Sequence, residues 1–173
     1  MNREETVRMF DELRESAFRL ETLTQYLSPG DMKEFEAFKA GQLIPPFTPE
    51  TSPWMARIQA DTAAGKRWYR VHVIDYPLTD YLRWELYAYP GNVAVGEEVY
   101  IVDRDTHPEL DELRTDFWLL DDRVVLVMHY DGDGRFLHAD RAPDEDLDEY
   151  RRLRDVALRW AVPLDEYQQR SSV

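Results

Sequence analysis

Hydrophobic positions in the first forty residues recur every three or four residues. Val7, Phe10, Leu13, Ala17 and Leu20 share one helical face, with Asn2 and Glu5 as a capping box, which predicts an amphipathic helix reaching about Leu27. Ser28-Pro29 then restart a helix in cap-and-first-turn order, with Met32, Phe35 and Phe38 on one face and Gly41 as its stop. The following QLIPPFTPETSP holds Pro45, Pro46, Pro49 and Pro53, which forbid a helix and predict an extended connector. The expected organisation is an N-terminal helical arm over 1–41, a proline-rich connector over 42–52 and an α/β body over 53–173, as one folding unit.

In the body the period alternates between helix and strand. Ser52-Pro53 open a third helix running to about Ala64 and closed by Gly65. Trp68 to Asp75 alternates aromatic and β-branched residues with polar ones, the pattern of a strand. Pro77 opens a helix carrying Leu78, Leu82, Leu86 and Tyr89, broken by Pro90-Gly91, and Glu97 to Asp103 forms the next strand. Strand, helix and strand in this order predict a right-handed parallel crossover. Phe117 to Leu120 is apolar without alternation, as in a strand buried on both faces, and ends at Asp121-Asp122. Val124–Tyr130 and Arg135–Ala139 flank the turn Asp131-Gly132-Asp133-Gly134 as a hairpin. Pairing Tyr130 with Arg135 puts Val124, Leu126, Met128, Tyr130, Leu137 and Ala139 on one apolar face; His129, His138 and Asp140 lie on the other. A last helix spans Pro143 to about Ala161, with Leu147, Tyr150, Leu153, Ala157 and Trp160 on its buried face and Pro163 as its end. The fold class is therefore α/β, with mixed α+β as the alternative: a mixed sheet of about five strands with flanking helices.

Charge narrows the function classes. Lys and Arg total 21 against 35 Asp and Glu, a net charge of −14, and such a surface repels phosphate backbones. Direct nucleic-acid binding is not expected; a solubilising surface or a basic protein partner is. Hydrophobic residues make up 43%, yet no run approaches the roughly 18 apolar residues of a membrane span. The charged start MNREETVRMF has no apolar signal region, so a cytoplasmic location is expected. Without cysteine, disulfides, thiolate zinc sites and cysteine nucleophiles are excluded.

Candidate chemistry is sparse. Asp131-Gly132-Asp133-Gly134 begins like a calcium loop, but Arg135 and Phe136 occupy the positions that need an acid and a glycine. His129 and His138 fall diagonally on one hairpin face and could share a divalent ion with Asp121 or Asp140; the competing reading is two polar residues on the less apolar face of a sheet. His72 and His107 sit in no ligand spacing. No GxSxG elbow or phosphate loop is present, and no cofactor is expected. In PLTDYLRWEL, Asp80, Arg83 and Glu85 alternate with Tyr81, Leu82 and Trp84 at a helix start beyond a parallel strand, where open α/β sheets place ligands. Asp80 and Glu85 could pair with Arg83 or Arg114; a capped helix with a salt-bridged face competes with a ligand or partner surface. Trp68, Trp84, Trp118 and Trp160 are expected in the core, with Trp84 nearest to solvent.

Two resemblances add to this reading. The order from Trp68 to Trp160, with FWLLDD in a buried strand, resembles one half of the phospholipase D-like fold, whose H-x-K-x4-D spacing falls here on Arg114, Asp116 and Asp121. Only Asp121 matches. Arg114 replaces the nucleophile and Asp116 replaces the cation, so the resemblance implies a catalytically dead copy. Over nearly the whole chain, SAFRLETLTQY, FKAGQLIPPF, RWYRVHVIDYPLTDYLRWEL, GEEVYIVDR, DFWLLDDRVVLVMHYDGDGRF and VPLDEY resemble an actinobacterial family of unknown function. Its members are often encoded beside Xre-type helix-turn-helix regulators. That resemblance implies a regulatory partner protein; joined to the acidic charge, it gives the expectation of a non-enzymatic module whose acidic body binds a basic regulator and whose N-terminal helices serve to dock or to form a homodimer. The alternative is a ligand- or metal-binding, hydrolase-like enzyme with an acid-rich site.

Overall fold

The computed structural model describes residues 1–27, 30, 32–42, 45 and 47–171, and among these it places seven strands in one sheet and six α-helices. The strands are β1 (Ser16–Glu21), β2 (Arg67–Ile74), β3 (Glu98–Asp103), β4 (Phe117–Leu120), β5 (Val124–Tyr130), β6 (Phe136–Arg141) and β7 (Val162–Pro163). The helices are α1 (Arg3–Met9), α2 (Met32–Lys39), α3 (Pro53–Ala63), α4 (Asp80–Ala94), α5 (Leu147–Trp160) and α6 (Leu164–Ser171). The spatial order is β6-β5-β4-β1-β2-β3-β7. β1, β2 and β3 run parallel, while β4, β5, β6 and β7 each pair antiparallel with a neighbour. The expected mixed sheet is present, with seven strands rather than about five.

The largest departure from the pattern lies near the N-terminus. The helix expected to reach Leu27 stops at Met9, and Ser16–Glu21 form a strand at the middle of the sheet, parallel to β2 and antiparallel to β4. Ala17 and Leu20 face opposite sides of that strand, and both are buried. A strand covered on both faces carries no alternation to separate it from a helix. The Asn2–Glu5 capping box is present, as is the Ser52 cap of α3. The expected Ser28-Pro29 restart lies outside the described residues.

Pro90 does not break its helix either. α4 runs through it to Ala94, and the Leu86 carbonyl, left without its backbone donor by the proline, accepts from the Gln168 amide of α6 at 3.0 Å. The hairpin register also shifts. A bulge after His129 puts His129 directly opposite His138 and Tyr130 opposite Phe136. Leu137 consequently leaves the apolar face and is 57% exposed.

The two sheet faces differ in chemistry. Phe18, Leu20, Tyr69, Val71, Val73, Val102, Phe117, Leu119 and Val125 form a largely apolar layer against Val156 and Ala157 of α5. On the opposite face, Ala17, Trp68, Trp118 and Leu126 pack with Phe10, Met55 and Ile58 at one end, and Ile74 and Ile101 pack with Leu82 and Tyr89 of α4 at the other. Between these apolar ends, the same face carries Arg19, Glu21, Arg70 and His72, all buried.

Candidate functional site

The polar residues in the middle of this face form a network. In each of β1 and β2 two inward positions are charged or imidazole side chains, and alternation sets them beside one another across the parallel pair, Arg19 opposite Arg70 and Glu21 opposite His72. Arg19 donates through Nη2 to Asp116 Oδ2 at 2.7 Å and to the Tyr130 hydroxyl at 3.0 Å, and its Nε lies 3.5 Å from Glu21 Oε1. Asp116 also accepts from the Thr22 amide, the Thr22 hydroxyl and the Tyr26 hydroxyl, so both of its oxygens are occupied. Arg70 donates to Glu97 at 2.7 Å and to Glu21 Oε2 at 3.1 Å, and Asn92 of α4 holds the second Glu97 oxygen at 2.6 Å. His72 shares hydrogen bonds with the Tyr89 hydroxyl through Nδ1, at 2.7 Å, and with the Leu23 carbonyl through Nε2, at 3.1 Å.

Burial and neighbouring charges shift several of these groups. Burial alone would raise the Glu21 carboxyl, but the guanidiniums of Arg70 and Arg19 outweigh it and hold Glu21 below the ordinary carboxylate range. Burial lowers the pKa of His72, against the pull of Glu21. Burial, reinforced by Asp116 and Glu21 respectively, pushes the Tyr26 and Tyr89 phenols far up, and Tyr130 is raised to about 12, again chiefly by burial.

Above the network opens a cleft of about 1010 Å³, within the size range of small-molecule sites. Phe10, Tyr26, Trp54, Trp84, Trp118 and Tyr130 wall it, and Arg19, Glu21, Arg70, Glu85 and Asn92 lie along its base. Arg3 and Arg135 stand at its margin, so the lining carries four arginines and two glutamates on a chain of net charge −14. Arg19 is only 3% exposed, and its Nη1 makes no hydrogen bond to any described residue.

The residues singled out from sequence divide among several places. Trp84 and Glu85 line the cleft; Trp84 is 6% exposed, contrary to the expectation that it lies nearest solvent. Tyr81 is buried behind it, against Tyr26, Phe35 and Trp84. Asp80 and Arg83 are on the exposed face of α4, with Arg83 Nε on the Leu78 carbonyl at 3.3 Å. Arg114 is exposed and bonded to Asp111. Asp116 and Asp121 sit at opposite ends of β4. Asp121 accepts the backbone amides of Arg14, Glu15 and Ser16 at 2.7–3.2 Å. His129 and His138 stack with ring centroids 4.5 Å apart and both approach Asp140, at 3.2 and 3.4 Å.

Sequence reasoning missed Arg19, Glu21, Arg70, His72, Tyr89 and Glu97. The signal was there in RWYRVHVI, where Arg70 and His72 alternate with Tyr69, Val71 and Val73. Such alternation ordinarily marks a face open to water. Here α3 and α4 cover that face, and the polar side chains are enclosed.

Fold and site together define a mixed α/β protein with a charged, aromatic-walled cleft on one face of its sheet. The family model described as a domain of unknown function (DUF6879) matches residues 4–169, and the chain belongs to that family. No curated protein matches the chain. No helix among the described residues is long and apolar enough to cross a membrane.

Proposed function

We propose that the protein is a cytosolic ligand-binding regulatory module whose cleft takes a small anionic molecule with a flat apolar body. The observation that carries this reading is Arg19, a buried guanidinium in the cleft lining with one nitrogen unused. A buried donor left without a partner costs about 1–3 kcal/mol, which an anionic acceptor would recover. The aromatic walls suit a planar body, which stacks at little entropic cost. Occupancy of the cleft is the input of such a module; its output falls on a basic protein partner, for which the resemblance implies a helix-turn-helix regulator.

The anionic fluorophore 8-anilinonaphthalene-1-sulfonate serves as probe. Saturable, one-to-one fluorescence enhancement is expected on the natively folded chain, with near-ultraviolet circular dichroism unchanged. Arg19→Lys keeps a cation for Asp116 but loses the guanidinium fork, and about tenfold weaker probe binding is expected of it. Non-saturable enhancement, or equal affinity in Arg19→Lys, would overturn the reading.

A further inference from the structure

We propose that His129, His138 and Asp140 form a binding site on the β5–β6 hairpin for a divalent first-row transition-metal ion, with Zn²⁺ the best fit. The bulge after His129 sets that residue directly opposite His138 rather than diagonal to it. The two rings stack with centroids 4.5 Å apart and planes 15° from parallel. Asp140 lies two residues beyond His138 and diagonally across from His129, so alternation puts all three side chains on one face. Val127, two residues before His129, packs with the apolar layer facing α5, whereas Met128 and Tyr130 line the cleft. The cluster is therefore on the far side of the sheet from the cleft and does not rest on the ligand reading.

Three ligand atoms converge on one point. Nε2 of His129 lies 3.2 Å from Asp140 Oδ2, and Nε2 of His138 lies 3.4 Å from the same oxygen. One ligand atom from each residue lies within 4.8 Å of the other two. A tetrahedral Zn²⁺ with bonds of about 2.0–2.1 Å spaces its ligand atoms roughly 3.3 Å apart, so two edges of such a tetrahedron are already present. The neighbouring guanidiniums are engaged elsewhere, Arg135 with Asp131 and Asp133 and Arg141 with Asp144. Asp140 is thereby left to the two imidazoles.

The scaffold holds these positions. Ala139, between His138 and Asp140, exchanges backbone hydrogen bonds of 2.6 and 2.9 Å with Met1, which secures β6 on its outer edge. The hairpin tip is tied down by the Leu27 amide, which donates to the Gly134 carbonyl at 2.9 Å. Ligands carried on paired strands keep their geometry better than ligands on loops. All three side chains are open to solvent, so an ion reaches them without any opening of the fold and can keep water at its fourth position. The net charge of −14 favours the approach of cations. Two imidazoles with one carboxylate suit Zn²⁺ better than Ca²⁺ or Mg²⁺, which take oxygen ligands.

The full chain, stripped with EDTA and dialysed, is titrated calorimetrically with Zn²⁺. One ion per chain is expected, bound about tenfold or more weakly by Asp140→Asn and lost in the His129→Ala/His138→Ala double variant. The chain has four histidines, and nitrogen-15 spectra of the imidazoles resolve them individually. Zn²⁺ should move the signals of His129 and His138 and leave those of His72 and His107 in place. His107, stacked on Trp160 away from the hairpin, supplies the control, and His107→Ala should bind as the parent does. Circular dichroism confirms that each variant folds; if the double variant does not, Asp140→Asn and the imidazole signals decide. No one-to-one binding by the parent would overturn the proposal. So would undiminished binding in either hairpin variant, the mark of ions held by scattered surface carboxylates, or a response confined to His72 or His107.

Discussion

Asp121 and Asp122 turn the chain between β4 and β5 with φ of 51° and 55°, the left-handed region that aspartate tolerates better than most residues. Besides making the turn, Asp121 gathers three backbone amides from the segment entering β1. Partial burial acts to raise its carboxyl, and the amides more than compensate, so its folded pKa lies below the ordinary value. Its stabilisation is therefore complete above the unfolded value of about 3.9 and is lost as pH falls through the folded one. Asp121→Asn should lower stability by about 1 kcal/mol at neutral pH, given the screening at a part-exposed site. Urea melts taken down the pH scale should show the difference from the parent closing below about pH 4; a constant difference would contradict the assignment. Asp121 was legible as a strand end. Its bond to residues 105 to 107 positions earlier was not, because no local spacing encodes it. The same holds for Glu21, His72 and Glu85, which three separate elements bring together.

Elements with a clean period were readable. Phe117–Leu120 as a doubly buried strand, Val124–Tyr130 as a hairpin arm, Leu147–Trp160 as an amphipathic helix and the Ser52 cap of α3 all appear where the pattern put them. β1 was not readable, because Phe18 and Leu20 face α5 while Arg19 and Glu21 face the cleft, and all four are covered. α6 follows a proline that reads as an ending, and β7 has only two residues. The position of β1 bears directly on truncation. It joins the antiparallel side, β4-β5-β6, to the parallel side, β2-β3. A chain lacking residues 1–41 loses that joint and leaves Asp116 without Arg19, the removal of one partner from a buried pair, which costs about 3–5 kcal/mol. Thermal circular dichroism of the 42–173 fragment should show no cooperative transition; a sharp one would show that the segment is dispensable.

Across the whole molecule, negative charge dominates, and the ion pairs of α5, such as Arg152 with Glu112 and Arg154 with Asp122, leave it in excess. An acidic body meets a basic partner through long-range attraction that salt screens. We expect the tagged chain to recover a helix-turn-helix regulator from its native host at low salt and to lose it at moderate salt, with mass spectrometry identifying the eluate. Recovery of the bait alone would remove the partner from the proposed function and leave the cleft untouched.

The central place of β1 also has a consequence in time. It precedes the other six strands of the sheet in the chain, and one of its two neighbours, β4, is the fourth to be made. Arg19 and Asp116 are 97 residues apart, which at ordinary rates of synthesis separates them by about 5–20 s. Through that interval β1 can pair with β2, but its other edge is open and its arginine lacks its main counter-ion. The open edge of β1 is thus exposed to off-pathway strand pairing until Phe117–Leu120 emerge, and their arrival covers it.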